Sequence, residues 1–393
     1  MSLKRLLNQN WFAILVLVVL VTAIAAPIYS YRILSPVDGD YGSHIMLTIQ
    51  FMKKEFVARD FTEPGLQLLL YFIFWLFHKV NVSLWTLLIV EQVCAQVITA
   101  LIIYFWVGKL PGRWGEWWRV FAAVSLTIVA PIALLAPWDG RYYFGYIGLA
   151  NYHNPTIHLL RPLALASFIL VLRAFEHPTN ATWKVVLSAF LIIVASLVKP
   201  NYSLSVLPAV FILAALYLWQ KKKFDKRMLI GGLVIPGGLI LAAQSAIVLF
   251  YSGANTEGIV IQPFAVQKAF SHYLLAKFFL STLFPLIILL LNFRSSLKNP
   301  SLQLAWITFI AGASQMYFLA EEGNNFYYGN FAWSAEIALF LLFCSSLRFF
   351  LQKKYATKTL NLERDILPIL IYLLHVVFGI LYYLHCMTSP HYG

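Results

Sequence analysis

Charge is scarce in this chain of 393 residues: Asp, Glu, Lys and Arg together make up 11% of it, against about 25% in water-soluble domains. Hydrophobic residues make up 61%, which excludes a soluble single core. Acids are scarcer than bases, 16 against 29, and the net charge is +13. In a soluble protein that excess would suggest nucleic acid. Here the bases lie in short runs between apolar segments, as membrane topology signals do, and no nucleic-acid partner is expected. Cysteine is nearly absent, and Cys94, Cys344 and Cys386 are too scattered for a disulfide framework or a zinc site. The glycine patterns G-x-x-x-x-G-K-[ST] and G-x-G-x-x-G are also missing, so a nucleotide-driven pump or a cytosolic nucleotide-sugar site has no support. No internal repeat and no low-complexity tract divides the chain.

What the chain has in quantity is long apolar runs. Spanning a hydrocarbon core of about 30 Å takes roughly 20 helical residues, and eleven segments qualify with soft ends: 11–29, 84–107, 120–136, 161–175, 183–198, 203–219, 228–250, 273–291, 302–320, 331–347 and 366–385. The first follows Lys4 and Arg5 and carries "AIAAP" near its end, as a secretory signal would; its length favours an uncleaved anchor. A twelfth run, 64–79 ("PGLQLLLYFIFWLFHKV"), is short and ends on His78 and Lys79, which fits a segment that lies in the interface.

Parity decides its status. If 64–79 does not cross, most of the 29 Lys and Arg fall at the N-terminus and in loops 108–119, 173–184, 220–227, 292–298 and 348–364. If it crosses, "QKKKFDKR" and "RFFLQKKYATK" would have to face outward, against the positive-inside rule. The expectation is therefore an all-α polytopic membrane protein of about 11 transmembrane helices, N-terminus cytoplasmic and C-terminus external. Residues 30–82 form one long external loop. Within it, residues 41–57 place Ile45, Ile49, Met52 and Phe56 at helical spacing, which predicts a helix on the outer membrane surface, with 64–79 as a second.

Sorting polar residues by side points the chemistry outward. Asp38, Asp40 and His44 lie there, followed by "PWDGRYYFGYIGLANYHNPTIHLLRP", "KPNY", "YSGANTEGIVIQPF" and "AEEGNNFYYGNF", stretches rich in aromatics, Asn, Gly and His, as in sugar or lipid-headgroup sites. Asp40 can serve as a general base or as the N-cap of the helix that starts at Tyr41, and the two roles are compatible. Asp38 and Asp40 could also share a divalent cation such as Mg or Mn, although Asp-X-Asp alone is a weak signal. Arg141, Arg161 and Lys199 stand at outer helix ends, where they can hold a phosphate or simply snorkel. His44, His153 and His158 are imidazoles, which titrate near neutrality, and are candidates for phosphate or substrate contact, metal ligation or general acid chemistry, or are hydrogen-bonded structural residues. Asp139, Asn154, Glu321 and Glu322 complete the candidate substrate contacts. The acids inside spans, Glu91 and Glu336, read first as parts of interhelical polar clusters.

One span, then "VDGDYGSH" at the head of a long external loop with two surface helices, then "EPGLQLLLYFIFWLF" and further spans, resembles the GT-C superfamily of integral-membrane glycosyltransferases. The resemblance covers about 1–220 as a module, leaving 221–393 as the variable helices of a single transmembrane domain, 1–393. It implies a transferase that takes a sugar from a polyprenyl-phosphate carrier and passes it to a glycan, lipid or protein acceptor on the extracytoplasmic face. The resemblance further implies a single, inverting displacement, with the first-loop acid on Asp40, or else on Asp38. Family members often show an adjacent Asp-Glu pair, where this chain has Asp-Gly-Asp. By role, not by motif, Arg161, Lys199, Arg141 and His44 would hold the carrier phosphate. The rival readings are a transporter or flippase for a lipid-linked or anionic substrate and a polymerase of lipid-linked glycans. The compact loops point to a bacterial inner membrane as the setting; no oligomeric state is implied.

Overall fold

The computed structural model describes residues 11–35, 39–55, 62–77, 82–112, 114–139, 144–178, 181–251, 258–357 and 362–389. Among the described residues thirteen longer helices carry the fold. They are α1 (Trp11–Leu34), α2 (Tyr41–Lys53), α3 (Gly65–Phe77), α4 (Leu84–Val107), α5 (Gly115–Ile128), α6 (Pro155–Glu176), α7 (Thr182–Val198) and α8 (Asn201–Trp219). Then come α9, made of Lys226–Leu229 and Ile235–Tyr251 joined by π-helical Ile230–Val234, and α10 (Leu274–Leu291), α11 (Pro300–Phe318), α12 (Ala332–Thr357) and α13 (Leu362–Thr388). Among the described residues the departure from all-α is a two-stranded antiparallel ribbon, β1 (Ile259–Ile261) with β2 (Leu319–Glu321).

The chain is a polytopic membrane protein: among the described residues eight helices, α1, α4, α6, α8, α9, α10, α12 and α13, are long and apolar enough to cross a bilayer. The three other expected spans are helical too, but differ for identifiable reasons. α7 has 17 residues, and α11, though 19 long, is diluted by Gln303, Thr308 and Gln315. The segment expected as a helix over 120–136 stops at Ile128, because Pro131 has no N–H to give and would clash with the preceding turn. The extended backbone that follows is satisfied from its flanks. Ala130 N–H donates to the His375 carbonyl at 3.2 Å, His375 Nδ1 pairs with the Ala130 carbonyl at 2.7 Å, and Ile132 N–H donates to the Leu280 carbonyl at 3.2 Å. Non-helical backbone at membrane depth is tolerated where protein encloses it in this way.

Local signals set the helix starts. Asn154 and Asn299 accept backbone N–H groups at the heads of α6 and α11, each with proline in the first turn, and Ser83 does the same for α4. The two helices expected between the first spans are both present, with 13 residues each. α2 buries Tyr41, Ile45 and Thr48; Ile49 and Met52 are partly covered, and Phe56 lies outside the described residues. α3 is about 20 Å long, too short for the hydrocarbon core. It returns to the end it left, since Leu66 and Leu70 pack in one cluster with Leu87 and Leu88 at the head of α4.

The connections sort into two ends. At one end the Asp40 N–H donates to the His153 carbonyl at 2.9 Å, and Lys199 faces Glu63 at 3.7 Å. Asn201 donates to the Asn330 carbonyl at 2.9 Å, Ser271 donates to Asp139 at 3.1 Å, and Arg32 of α1 donates to the Ser389 carbonyl beyond α13 at 2.9 Å. At the other end Arg348 and Gln352 of α12 donate to the Trp106 and Val107 carbonyls, both at 3.0 Å. There too Lys353 meets Asn292, Lys354 pairs with Asp365, and Asp225 N–H reaches the Ala174 carbonyl. The basic runs of the sequence collect at this second end, and the polar, aromatic stretches at the first.

Small residues let α11 and α12 approach closely, as membrane interfaces commonly require. A Cβ on Gly312 would stand 2.4 Å from the Ser334 carbonyl oxygen. Gly312→Ala is expected to lower stability by about 1–3 kcal/mol through overpacking. Gly238→Ala, where nothing lies within 4 Å, stays within about 0.5 kcal/mol of the parent. Thermal unfolding in detergent checks the pair, and equal midpoints would contradict the close packing.

Candidate functional site

The site is built around the start of α2. Asp40 occupies the N-cap position, yet its side chain makes no capping bond. The carboxylate turns instead to Asn154, whose Nδ2 donates to Oδ2 at 2.7 Å, so the capping reading of the side chain is corrected. Asn154 can reach because it is itself anchored as the N-cap of α6: Oδ1 accepts from Thr156 N (3.1 Å), Ile157 N (3.3 Å) and Thr156 Oγ1 (2.6 Å).

Lys199 arrives from the break between α7 and α8, where it is extended and Pro200 follows. Its Nζ lies 3.3 Å from Thr156 Oγ1, 3.7 Å from Glu63 Oε2, and 5.0 Å from the centre of the Trp333 ring. One turn along α2, His44 Nδ1 is 2.8 Å from Gln67 Nε2 of α3. Acid, amide, hydroxyl, cation and imidazole thus converge from four separate stretches of chain.

Burial pushes the Asp40 carboxyl above its ordinary value, while the Lys199 charge and the Asn154 hydrogen bond pull it back. Burial lowers His44 to about 4, helped by Lys199, and lowers His153 to about 3, helped by Arg32 and Lys199. Both imidazoles are therefore neutral at pH 7. The main cationic charge acting on Asp40 is Lys199.

The other sequence candidates divide. His153 sits against Trp333, ring centres 5.6 Å apart, and holds Asp40 through its backbone carbonyl. His158 lies below, bonded to the Asn151 carbonyl, with its ring 5.2 Å from that of Tyr29 and 6.1 Å from that of Tyr152. Arg161 is buried under the site: its guanidinium donates to the Leu149 carbonyl and lies over Phe340. Asp139 belongs to a neighbouring corner, paired with Lys277 and Ser271. Glu321 accepts from Asn330 at 2.8 Å on the ribbon, and Glu322 from Gly258 N at 3.2 Å. Asp38 and Arg141 lie outside the described residues. Glu91 bonds Gln92 at 2.5 Å, which in turn reaches the Pro155 carbonyl at 3.1 Å, an interhelical polar cluster as read from the sequence.

Glu63, Gln67, Thr156 and Trp333 were not singled out by the sequence. For Thr156 a signal was present: Asn-Pro-Thr is a helix-start pattern, Asn as cap and Pro in the first turn, which leaves the Thr side chain at the mouth of α6. For Glu63 and Trp333 none was, since their partners are distant in sequence. Among the described residues no three His, Cys, Asp or Glu side chains gather as a metal site, so a shared cation would depend on Asp38. Cavities of about 590 and 370 Å³ lie away from the cluster, the first among Trp117, Phe284 and Tyr372, the second along α3, α4 and α6 beside Glu91.

No protein-family model matches the chain, and no curated protein matches it in sequence. The chemistry must therefore be read from the cluster. An acceptor carboxylate facing a lysine can take a proton from one group while the cation receives a negative charge on another.

The neutral histidines give a pH signature. Between about 6.5 and 4 the unfolded chain protonates His44 and the folded chain does not, so stability falls as pH falls through that window. Asp40, raised, acts in the opposite sense, so the comparison of a variant with its parent isolates the imidazole. His44→Gln is expected to flatten the loss of unfolding temperature across the window; parallel curves would contradict a buried neutral His44.

Proposed function

We propose that the protein is a GT-C-type glycosyltransferase that moves a sugar from a polyprenyl-phosphate carrier to an acceptor on the extracytoplasmic side of a bacterial inner membrane. The single observation that carries this reading is the Asp40–Asn154 pair set beside Lys199 at the head of a short helix that follows the first span.

In this reading the end of the bundle with the basic loops is cytoplasmic, as the positive-inside rule requires, and the Asp40 end is external. The N-terminus is then inside, the C-terminus outside, and α2 and α3 lie at the outer surface. Asp40 takes a proton from the attacking acceptor or orients it, the nucleophile displaces the carrier at the anomeric carbon with inversion, and Lys199 receives the charge that develops on the departing phosphate. A fixed, buried ammonium acts most strongly at that moment. Arg161 acts one layer below, where its guanidinium donates to the Leu149 carbonyl. Asp38 is the alternative base, and Asp139, Glu321 and Glu322 are contacts for the outer parts of donor or acceptor.

The test is transfer of labelled sugar from polyprenyl phosphate to membrane glycans by protein in native membranes. Asp40→Asn is expected to cut the rate about 10²–10⁴-fold and Lys199→Met about 10²–10³-fold, with both variants folded. A parent that transfers no more than membranes lacking it, or an Asp40→Asn variant at the parent rate, would contradict the assignment.

A further inference from the structure

The hydrogen bonds between Lys199 and Asp40 have a direction that chemistry alone fixes. An ammonium only donates, so Thr156 Oγ1, 3.3 Å from Lys199 Nζ, is the acceptor of that bond. The hydroxyl is then left to give its own hydrogen to Asn154 Oδ1 at 2.6 Å. That oxygen also receives the backbone N–H groups of Thr156 and Ile157 at 3.1 and 3.3 Å. Three donors converge on one end of the amide, which identifies that end as oxygen and leaves Nδ2 to face Asp40. Every bond from Lys199 Nζ to Asp40 Oδ2 therefore runs the same way.

We infer that Thr156 and Asn154 form a one-way hydrogen-bond relay that carries the influence of Lys199 and of the α6 N-terminus to Asp40 and holds that carboxyl as a proton acceptor. Both are positioning residues, and Asn154 is not a substrate ligand. The use made of Asp40 in sugar transfer rests on the proposed function; the relay does not. Donors that lean on Asn154 Oδ1 polarise the amide, so its Nδ2–H bonds the carboxylate more strongly than an isolated amide would. The positive end of the α6 dipole adds in the same sense. The remaining groups around Asp40 do not substitute for this. His44 on its own helix and His153 beneath it are neutral at pH 7, and Glu63, 3.7 Å from Lys199, carries the opposite sign.

A hydrophobic carbodiimide modifies carboxyls in their protonated form, so the pH midpoint of Asp40 modification, read by peptide mass spectrometry on the full chain in nanodiscs, reports its proton affinity without any need for turnover. Thr156→Val removes the hydroxyl and keeps the shape; its midpoint is expected about one pH unit above the parent, the equivalent of weakening one hydrogen bond to a charged group. Thr156→Ser is expected to return it to the parent value. Asn154→Asp retains an oxygen to cap α6 but sets a second acid against Asp40, and its midpoint should rise further. A Thr156→Val midpoint equal to that of the parent, with the unfolding temperature retained, would overturn the relay whatever Asn154→Asp shows. A parent chain that transfers no sugar would defeat the proposed function and leave this midpoint to decide the relay by itself.

Discussion

The constraint on which the site depends is the double duty of Asn154. One end of its amide closes the first turn of α6 and the other end holds a carboxylate of α2, more than a hundred residues earlier in the chain. Neither duty can be dropped without the other. The cap needs the oxygen, and once three hydrogens point at it only the nitrogen is left to meet Asp40. Asp40 is thereby drawn away from the capping bond that its position offers. An acid that could have served its own helix is placed beside Lys199.

The second constraint is the division of the polar connections between two ends. A chain with so few charges can afford them only where water or a partner reaches them, and the helices carry them there in turn. The first turns of α3 pack with the tail of α1 and the head of α4, so that α4 starts from the end at which α1 finished. Where the regular pattern fails, at the extended stretch after α5, carbonyl and N–H groups of α10 and α13 take over the missing partners.

Much of this was legible from the residues. Long apolar runs located the eight helices that are long and apolar enough to cross a bilayer, because lipid imposes nearly the same length on every crossing helix. The charge pattern also separated the connections into the two groups that the fold brings together. The break in the 120–136 segment was missed because hydropathy does not register the lost hydrogen bond at Pro131. At the site, Asp40, His44, Asn154 and Lys199 could be named because each is polar beside an apolar run. Their partners could not, since Glu63 and Trp333 meet Lys199 only through folding, and the choice between cap and free carboxylate at Asp40 was decided by an asparagine in a distant loop. Arg161 carried the same signal as Lys199 and lies deeper, because a helix start shifted six residues upstream places it two turns inside α6.

Asp40 is a fixed acceptor beside a fixed cation, Lys199, and in the proposed function that cation meets a phosphate carried by an isoprenoid chain. That assignment is tested most directly by native mass spectrometry of the protein released from its membrane. The account predicts an adduct with the mass of a polyprenyl phosphate on the parent chain and its loss from Lys199→Met, while ordinary phospholipid adducts stay equal on both. An adduct pattern that is the same with and without Lys199, or one free of isoprenoid phosphate, would contradict it.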